Sequence, residues 1–274
     1  MKKLILFAFT ALGMFACTGQ NVPSNPNSTK GALPGKFSVS ETSKVQFSQG
    51  NLQYEGTWQF AEHQWDYFGE NQSDGHRDLF GWGTGDTPNK VSDDKNDYTT
   101  FTDWGENTIS NGGNKANIWR TLTRSEWKYL FFGRTNAANL FGMGKVNGIN
   151  GTILLPDDWS TPQGITFNAS SSKGLKDYNG YGYYTNPDKN NYSHNSYTVE
   201  QWSVMESAGA VFLPAAGRRT PQGNYTWIAE YGLYWSSTSL PASRAYQLLF
   251  DKSSLHTNYD DYNRAYGFSV RLVR

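Results

Sequence analysis

Apolar residues in this chain fall into short groups, and the spacing within each group predicts an element. Phe37-Ser38-Val39-Ser40 and Val45-Gln46-Phe47-Ser48 alternate apolar and polar positions, the two-residue period of a half-buried strand. Leu52-Gln53-Tyr54 and Trp58-Gln59-Phe60 repeat it on either side of Glu55-Gly56-Thr57 and predict a hairpin. The period becomes helical at Trp127, Leu130 and Phe131, after a capping-box pair formed by Thr123 and Glu126; this helix should end at Gly133. A second pair, Thr198 and Gln201, opens a short helix with Trp202 and Met205 inward and Gly209 at its close. Between them, Lys145 to Leu155 holds Asn147-Gly148 and Asn150-Gly151 before the apolar Ile153-Leu154-Leu155 and a stop at Pro156, which predicts another hairpin. Near the C-terminus three strand-like runs, Gly209 to Gly217, Gly232 to Thr238 and Gly267 to Val273, bracket the tract Ser239 to Tyr266. Tyr, Ser, Asn, Asp, His and Arg predominate there, no period is visible, and the tract is expected to be irregular.

Other stretches carry no strand or helix period. Ala61 to Gly113 is dense in Trp, Gly, Asp and Asn and predicts long loops pinned by Trp side chains. Pro156 to Asn195 is polar, Gly- and Tyr-rich, and predicts a long insertion loop. Thr18 to Pro34 is built of Asn, Pro, Ser, Thr and Gly, too polar to offset the entropy of ordering, and reads as a flexible tether. Ahead of it, Met1-Lys2-Lys3 is a short basic region and Leu4 to Ala16 an apolar stretch too short to span a bilayer as a helix. Cys17, the single cysteine, follows Met14-Phe15-Ala16, and the run resembles the lipobox of bacterial lipoproteins. The expected organisation is a signal peptide over 1–16, a tether over 17–34 that begins at a lipidated Cys17, and one domain over 35–274. Such a chain would be exported through the inner membrane and anchored by its lipid at the outer membrane or cell surface.

Composition narrows the function classes. Formal charge is zero, with 24 basic and 24 acidic residues, which leaves no electrostatic footprint for nucleic acid. Aromatics make up 16 % of the 274 residues and Gly contributes 28, a balance that favours short strands, many turns and aromatic surfaces over a helical bundle. Tyr, Ser, Gly and Asn are the residues of adaptable recognition surfaces.

Five motifs in order, Trp119-Arg120-Thr121-Leu122-Thr123, Ile153-Leu154-Leu155-Pro156-Asp157, Gly209-Ala210-Val211-Phe212-Leu213-Pro214-Ala215-Ala216-Gly217, Tyr234-Trp235-Ser236-Ser237 and Ser269-Val270-Arg271, resemble the Fibrobacter succinogenes major paralogous domain. Members are common as secreted lipoproteins of gut Bacteroidetes. The resemblance spans about Lys36 to Arg274 and implies an α+β, C-type-lectin-like fold of the kind shared with formylglycine-generating enzymes: a twisted antiparallel sheet, two helices and long loops. The C-terminal pattern is also similar to the variable proteins of diversity-generating retroelements, in which a tract just before the chain end is rewritten at adenines and forms a ligand-binding face. That chemistry does not produce Lys, Gln, Glu, Met or Trp, and between Ser239 and Tyr266 only Gln247 and Lys252 fall outside the permitted set. The composition is compatible with diversification at many positions and equally with an ordinary polar loop.

Candidate chemistry is sparse. Formylglycine-generating enzymes use cysteines, and none follows Cys17. His63, His76, His194 and His256 are far apart with no partner at zinc spacing, and Asp93-Asp94-Lys95-Asn96-Asp97 lacks the Gly and terminal Glu of a calcium loop. Ser170-Ser171-Ser172-Lys173 fits Ser-x-x-Lys but lies in a Ser-rich loop rather than at a helix start. No catalytic residue, metal or cofactor is expected. The expectation is a surface-displayed binding protein for a protein or glycan ligand, with a face made by Leu240, Arg244, Tyr246, His256, Asn258, Tyr259, Asp260, Asp261, Tyr262 and Tyr266. The alternatives are an envelope or fimbria-like structural subunit that self-associates, and a glycan-acting enzyme, which needs a carboxylate pair that no spacing singles out.

Overall fold

The structure, a computed structural model, describes residues 30–170, 183–185, 192–259 and 262–274. Cys17 with its signal and most of the tether, Ser171 to Lys173, and Asp260 and Asp261 lie outside the described residues. The fold is mixed α+β, mostly strands in several small sheets, with two α-helices among the described residues.

The opening alternation forms a short antiparallel pair, β1 (Phe37–Ser38) with β2 (Lys44–Val45). The packed chain begins before Gly35: Ala32 bridges Ser48, and Leu33 is buried with its amide on the Phe47 carbonyl at 2.9 Å. The expected hairpin is β3 (Leu52–Glu55) and β4 (Trp58–Phe60), with Leu52 opposite Phe60 and Tyr54 opposite Trp58. β5 (His76–Arg77) adds to its free edge. The rest of the stretch to Gly113 is loop and two 3-10 turns, pinned by Trp side chains as the composition predicts. Trp82 Nε1 donates to the Ser236 carbonyl at 2.9 Å, and Trp104 is fully buried.

β6 (Arg120–Thr121) leads into α1 (Arg124–Lys128), whose Thr123–Glu126 capping box is formed in both directions. The helix continues as one π turn over Tyr129–Gly133, which ends where the glycine predicted. β7 (Phe141–Val146) and β8 (Ile149–Leu154) pair antiparallel around Asn147 and Gly148, both at positive φ, 50° and 79°. One of the two expected Asn-Gly turns is therefore not a turn. Asn150-Gly151 lies inside β8, because the edge of β11 packs against it: a Cβ on Gly151 would sit 2.4 Å from the Leu213 carbonyl oxygen. The insertion expected over Pro156 to Asn195 is not all loop, since β9 (Tyr183–Thr185) joins the last sheet.

β10 (Ser196–Tyr197) precedes α2 (Val199–Ser207), again with a complete capping box, at Thr198 and Gln201, and with Trp202 and Met205 buried. β11 (Val211–Pro214) pairs with β8, which completes the order β10-β7-β8-β11. A tight pair, β12 (Arg218–Arg219) and β13 (Tyr225–Thr226), comes next.

The expectation of an irregular tract from Ser239 to Tyr266 is wrong. β14 (Gly232–Leu240) runs into it, and β15 (Arg244–Phe250) and β16 (Ser254–Tyr259) fill it, in a sheet ordered β14-β15-β16-β9. Strand alternation was hidden because this sheet has apolar neighbours on both sides. Tyr234, Leu248, Phe250 and Leu255 pack into one core with Phe47, Trp127 and Phe131, while Leu233, Trp235, Ala245 and Leu249 pack into a second with Phe80, Trp104 and Phe268. A strand buried on both faces shows a continuous apolar run, Leu248-Leu249-Phe250, in place of a two-residue period.

The C-terminal extended segment closes the domain with β17 (Leu272–Val273) on β6 and Val273 bridging Phe47. Within it Arg271 is 1 % exposed and donates to Gln64 Oε1 at 2.7 Å, and Gln64 in turn bonds Glu206 on α2 and the Phe212 amide. Burial pushes the Arg271 guanidinium down to about 10, still charged at neutral pH.

Candidate functional site

Four of the expected face residues meet in one place. The Tyr259 ring lies 5.5 Å from His256 and 5.7 Å from Tyr262, and Tyr262 lies 4.9 Å from Tyr266. Phe268 backs the row, 5.5 Å from Tyr262. Tyr262 is nearly enclosed, whereas His256, Tyr259 and Tyr266 are half-buried.

Three residues outside the tract complete the surface. Arg218 on β12 donates from Nε to Thr226 Oγ1 at 3.1 Å, across the register pair that joins β12 to β13. This lays its guanidinium 3.6 Å over the Trp227 ring, 4.9 Å from Tyr262 and 5.1 Å from Tyr266. Such a cation on aromatic faces contributes on the order of 0.5–2 kcal/mol and leaves the guanidinium edge available for hydrogen bonds. Tyr231 extends the surface, 4.6 Å from Trp227.

Trp227 is presented by a strained loop. Its φ is +63°, as is that of Ala229, a left-handed conformation that is costly for a bulky side chain and persists only where its surroundings impose it. The surroundings do so from behind: the Trp227 carbonyl accepts from the Glu230 and Tyr231 amides, both at 3.0 Å, the Ala229 amide donates to the Ala215 carbonyl, and Asn150 Nδ2 donates to the Ala229 carbonyl at 2.8 Å. Burial pushes the His256 imidazole down to about 4 and Asp251 pulls it only partly back, so the ring is neutral at physiological pH.

The remaining expected residues lie elsewhere. Gln247 pairs with Tyr259, so Tyr246 falls on the opposite side of β15, where Arg124 of α1 lies 5.0 Å over its ring. Leu240 and Arg244 form the last register pair of the β14–β15 hairpin, and their carbonyls accept from Arg264 at 3.1 and 3.0 Å. Asn258 is half-buried at the end of β16. Asp260 and Asp261 follow it outside the described residues. Gln247 is fully enclosed with neither end of its amide bonded among the described residues.

Sequence reasoning missed Arg218, Trp227 and Tyr231. They reach the tyrosines only through the β12–β13 turn, although Tyr225, Trp227 and Tyr231, three aromatics within seven residues, were a usable signal. Among the described residues no group of three or more His, Cys, Asp or Glu side chains could hold a metal, and no helix is long and apolar enough to cross a membrane. No protein-family model matches the chain, and no curated protein or solved structure matches it either.

Proposed function

We propose that the chain is a lipid-anchored, surface-displayed protein with a C-type-lectin-like domain that holds a protein or glycan ligand on the ring face described above. The observation that carries this reading is Arg218 stacked on Trp227 beside Tyr262 and Tyr266, with Tyr231 and Tyr259 at the margins. Trp, Tyr and Arg are the residue types that dominate binding energy, because rigid rings give contact area at low entropic cost and a guanidinium adds direction. The capped helices, small antiparallel sheets and long Trp-pinned loops are compatible with the lectin-like architecture that the motifs imply. Anchoring rests on the resemblance around Cys17.

The diversification reading takes a narrower form. Exchange is restricted to side chains on the open face, since Leu248, Leu249, Phe250 and Leu255 belong to the core. Gln247, which the rewriting chemistry cannot produce, is one of the enclosed positions. The test is a glycan and protein array probed with the purified chain and with a variant carrying Tyr259→Ser and Tyr266→Ser. The expected outcome is a changed set of bound ligands with cooperative unfolding retained. Identical binding by both would refute the assignment of the face, and stable self-association with no array signal would favour a structural subunit.

A further inference from the structure

A groove of about 1060 Å3 lies on the other side of the Trp227–Tyr231 loop, with Ile228 at its edge. Its floor is the β3–β4 hairpin, where Gln53 and Gln59 are direct cross-strand partners and so project from the same face. Trp65, Tyr67 and Phe68 form an aromatic wall, each half-buried. No Lys or Arg lines the groove, which disfavours phosphate, sulfate or carboxylate ligands.

The decisive residue is Gln53. It is 6 % exposed, it lines the groove, and its side chain makes no hydrogen bond among the described residues. Its amide atoms are not among the sealed unsatisfied ones, so they keep contact with solvent and present an open donor and acceptor to whatever occupies the groove. Of the four carboxylates that line the groove, Glu55 and Asp66 are already engaged, while Glu62 and Glu70 are exposed to solvent. Glu55 accepts from Gln59 Nε2 at 2.6 Å and from the His76 ring at 3.0 Å, and Asp66 Oδ2 takes the His63 amide at 2.8 Å and its ring nitrogen at 3.0 Å. The unfilled capacity at the floor is therefore that of neutral amides: donor and acceptor at Gln53, and the acceptor oxygen of Gln59.

We propose that this groove binds a neutral oligosaccharide, independently of the ring face. Vicinal hydroxyls are donor and acceptor at once, which matches a primary amide at both ends, and the C–H face of a pyranose ring fits the aromatic wall. A cationic peptide would have to rely on Glu62 and Glu70, which are exposed and screened by solvent, since Glu55 and Asp66 are committed.

The experiment is titration of the purified full chain with a panel of neutral hexose and N-acetylhexosamine oligosaccharides and, in parallel, with a Lys/Arg-rich peptide. Gln53→Leu keeps the volume and removes the amide; Trp65→Ala removes one wall ring from a half-exposed position and covers the case in which the buried substitution disturbs folding. The proposal expects saturable binding of at least one neutral oligosaccharide, weakened about tenfold or more in both variants, while their unfolding remains cooperative. Absence of oligosaccharide binding, binding of the peptide in its place, or binding unaffected by either substitution would overturn it. Loss of sugar binding in Trp227→Ala with retention in Gln53→Leu would place the sugar on the ring face and overturn it as well.

Discussion

Asp157→Asn should be among the most damaging isosteric changes in the domain. The Asp157 carboxylate accepts from the Ser38 amide and, at 2.6 Å, from the Ser38 hydroxyl, and it meets Lys44 Nζ at 2.9 Å and Arg134 Nη1 at 3.1 Å. The Arg134 side chain is 1 % exposed, and its other hydrogen bonds go to the Leu130 and Leu140 carbonyls, so Asp157 is its anionic partner. Partial burial works to raise the Asp157 pKa, but the hydrogen bonds from Ser38, Lys44 and Arg134 outweigh it and hold the carboxyl down to about 2, against an ordinary 3.8. That difference corresponds to roughly 2 kcal/mol of stability, present above pH 3.8 and lost as pH falls through 2. Removing the charge also strands the buried guanidinium, for a total of about 3–5 kcal/mol at neutral pH, or a melting temperature lower by roughly 6–20 °C for a domain of this size. Urea unfolding of both proteins at pH 7, 5, 4 and 3 tests this. The gap should be widest at pH 7 and 5 and begin to narrow by pH 3. Equal stability at pH 7, or a gap independent of pH, would refute the reasoning.

Three further outcomes follow from the same structure. Phe250→Ala should cost about 3–5 kcal/mol in urea unfolding, whereas Asn258→Ser, in the same tract, should stay within about 0.5 kcal/mol; equal tolerance would mean that the tract is not a core sheet. Thr198→Ala removes the acceptor for the Gln201 amide and should cost about 1 kcal/mol, read by the same assay. The His256 ring, with a pKa of about 4 against an ordinary 6.5, should show no titration by NMR between pH 6 and 8, and its contribution to stability should decline as pH falls from 6.5 toward 4; a midpoint near 6.5 would contradict the burial.

Much of the scaffold is legible in the chain because its signals are local. Thr123 with Glu126 and Thr198 with Gln201 sit within one turn of each other, and Glu55-Gly56-Thr57 lies between strands of clear period. Two kinds of information were not local. Asn150-Gly151 has the composition of a turn, and only the approach of Leu213 and Phe212 explains why it lies within a strand. The tract from Ser239 to Tyr266 has the composition of a recognition loop, yet Leu248, Phe250 and Leu255 pack into one core and Ala245, Leu249 and Tyr262 into a second, both completed by other segments. The candidate site divides in the same way: the run of tyrosines was visible, but the cation and the indole that complete it arrive from Arg218 and Trp227 through a separate turn.

The central claim is that these segments form one binding surface, and Trp227→Ala tests it most directly because Trp227 lies outside the tyrosine tract. Ligands found by array binding of the wild-type chain should bind the variant more weakly by about 2 kcal/mol, roughly a thirtyfold rise in Kd, with cooperative unfolding retained. Unchanged Kd in a folded Trp227→Ala protein would contradict the account.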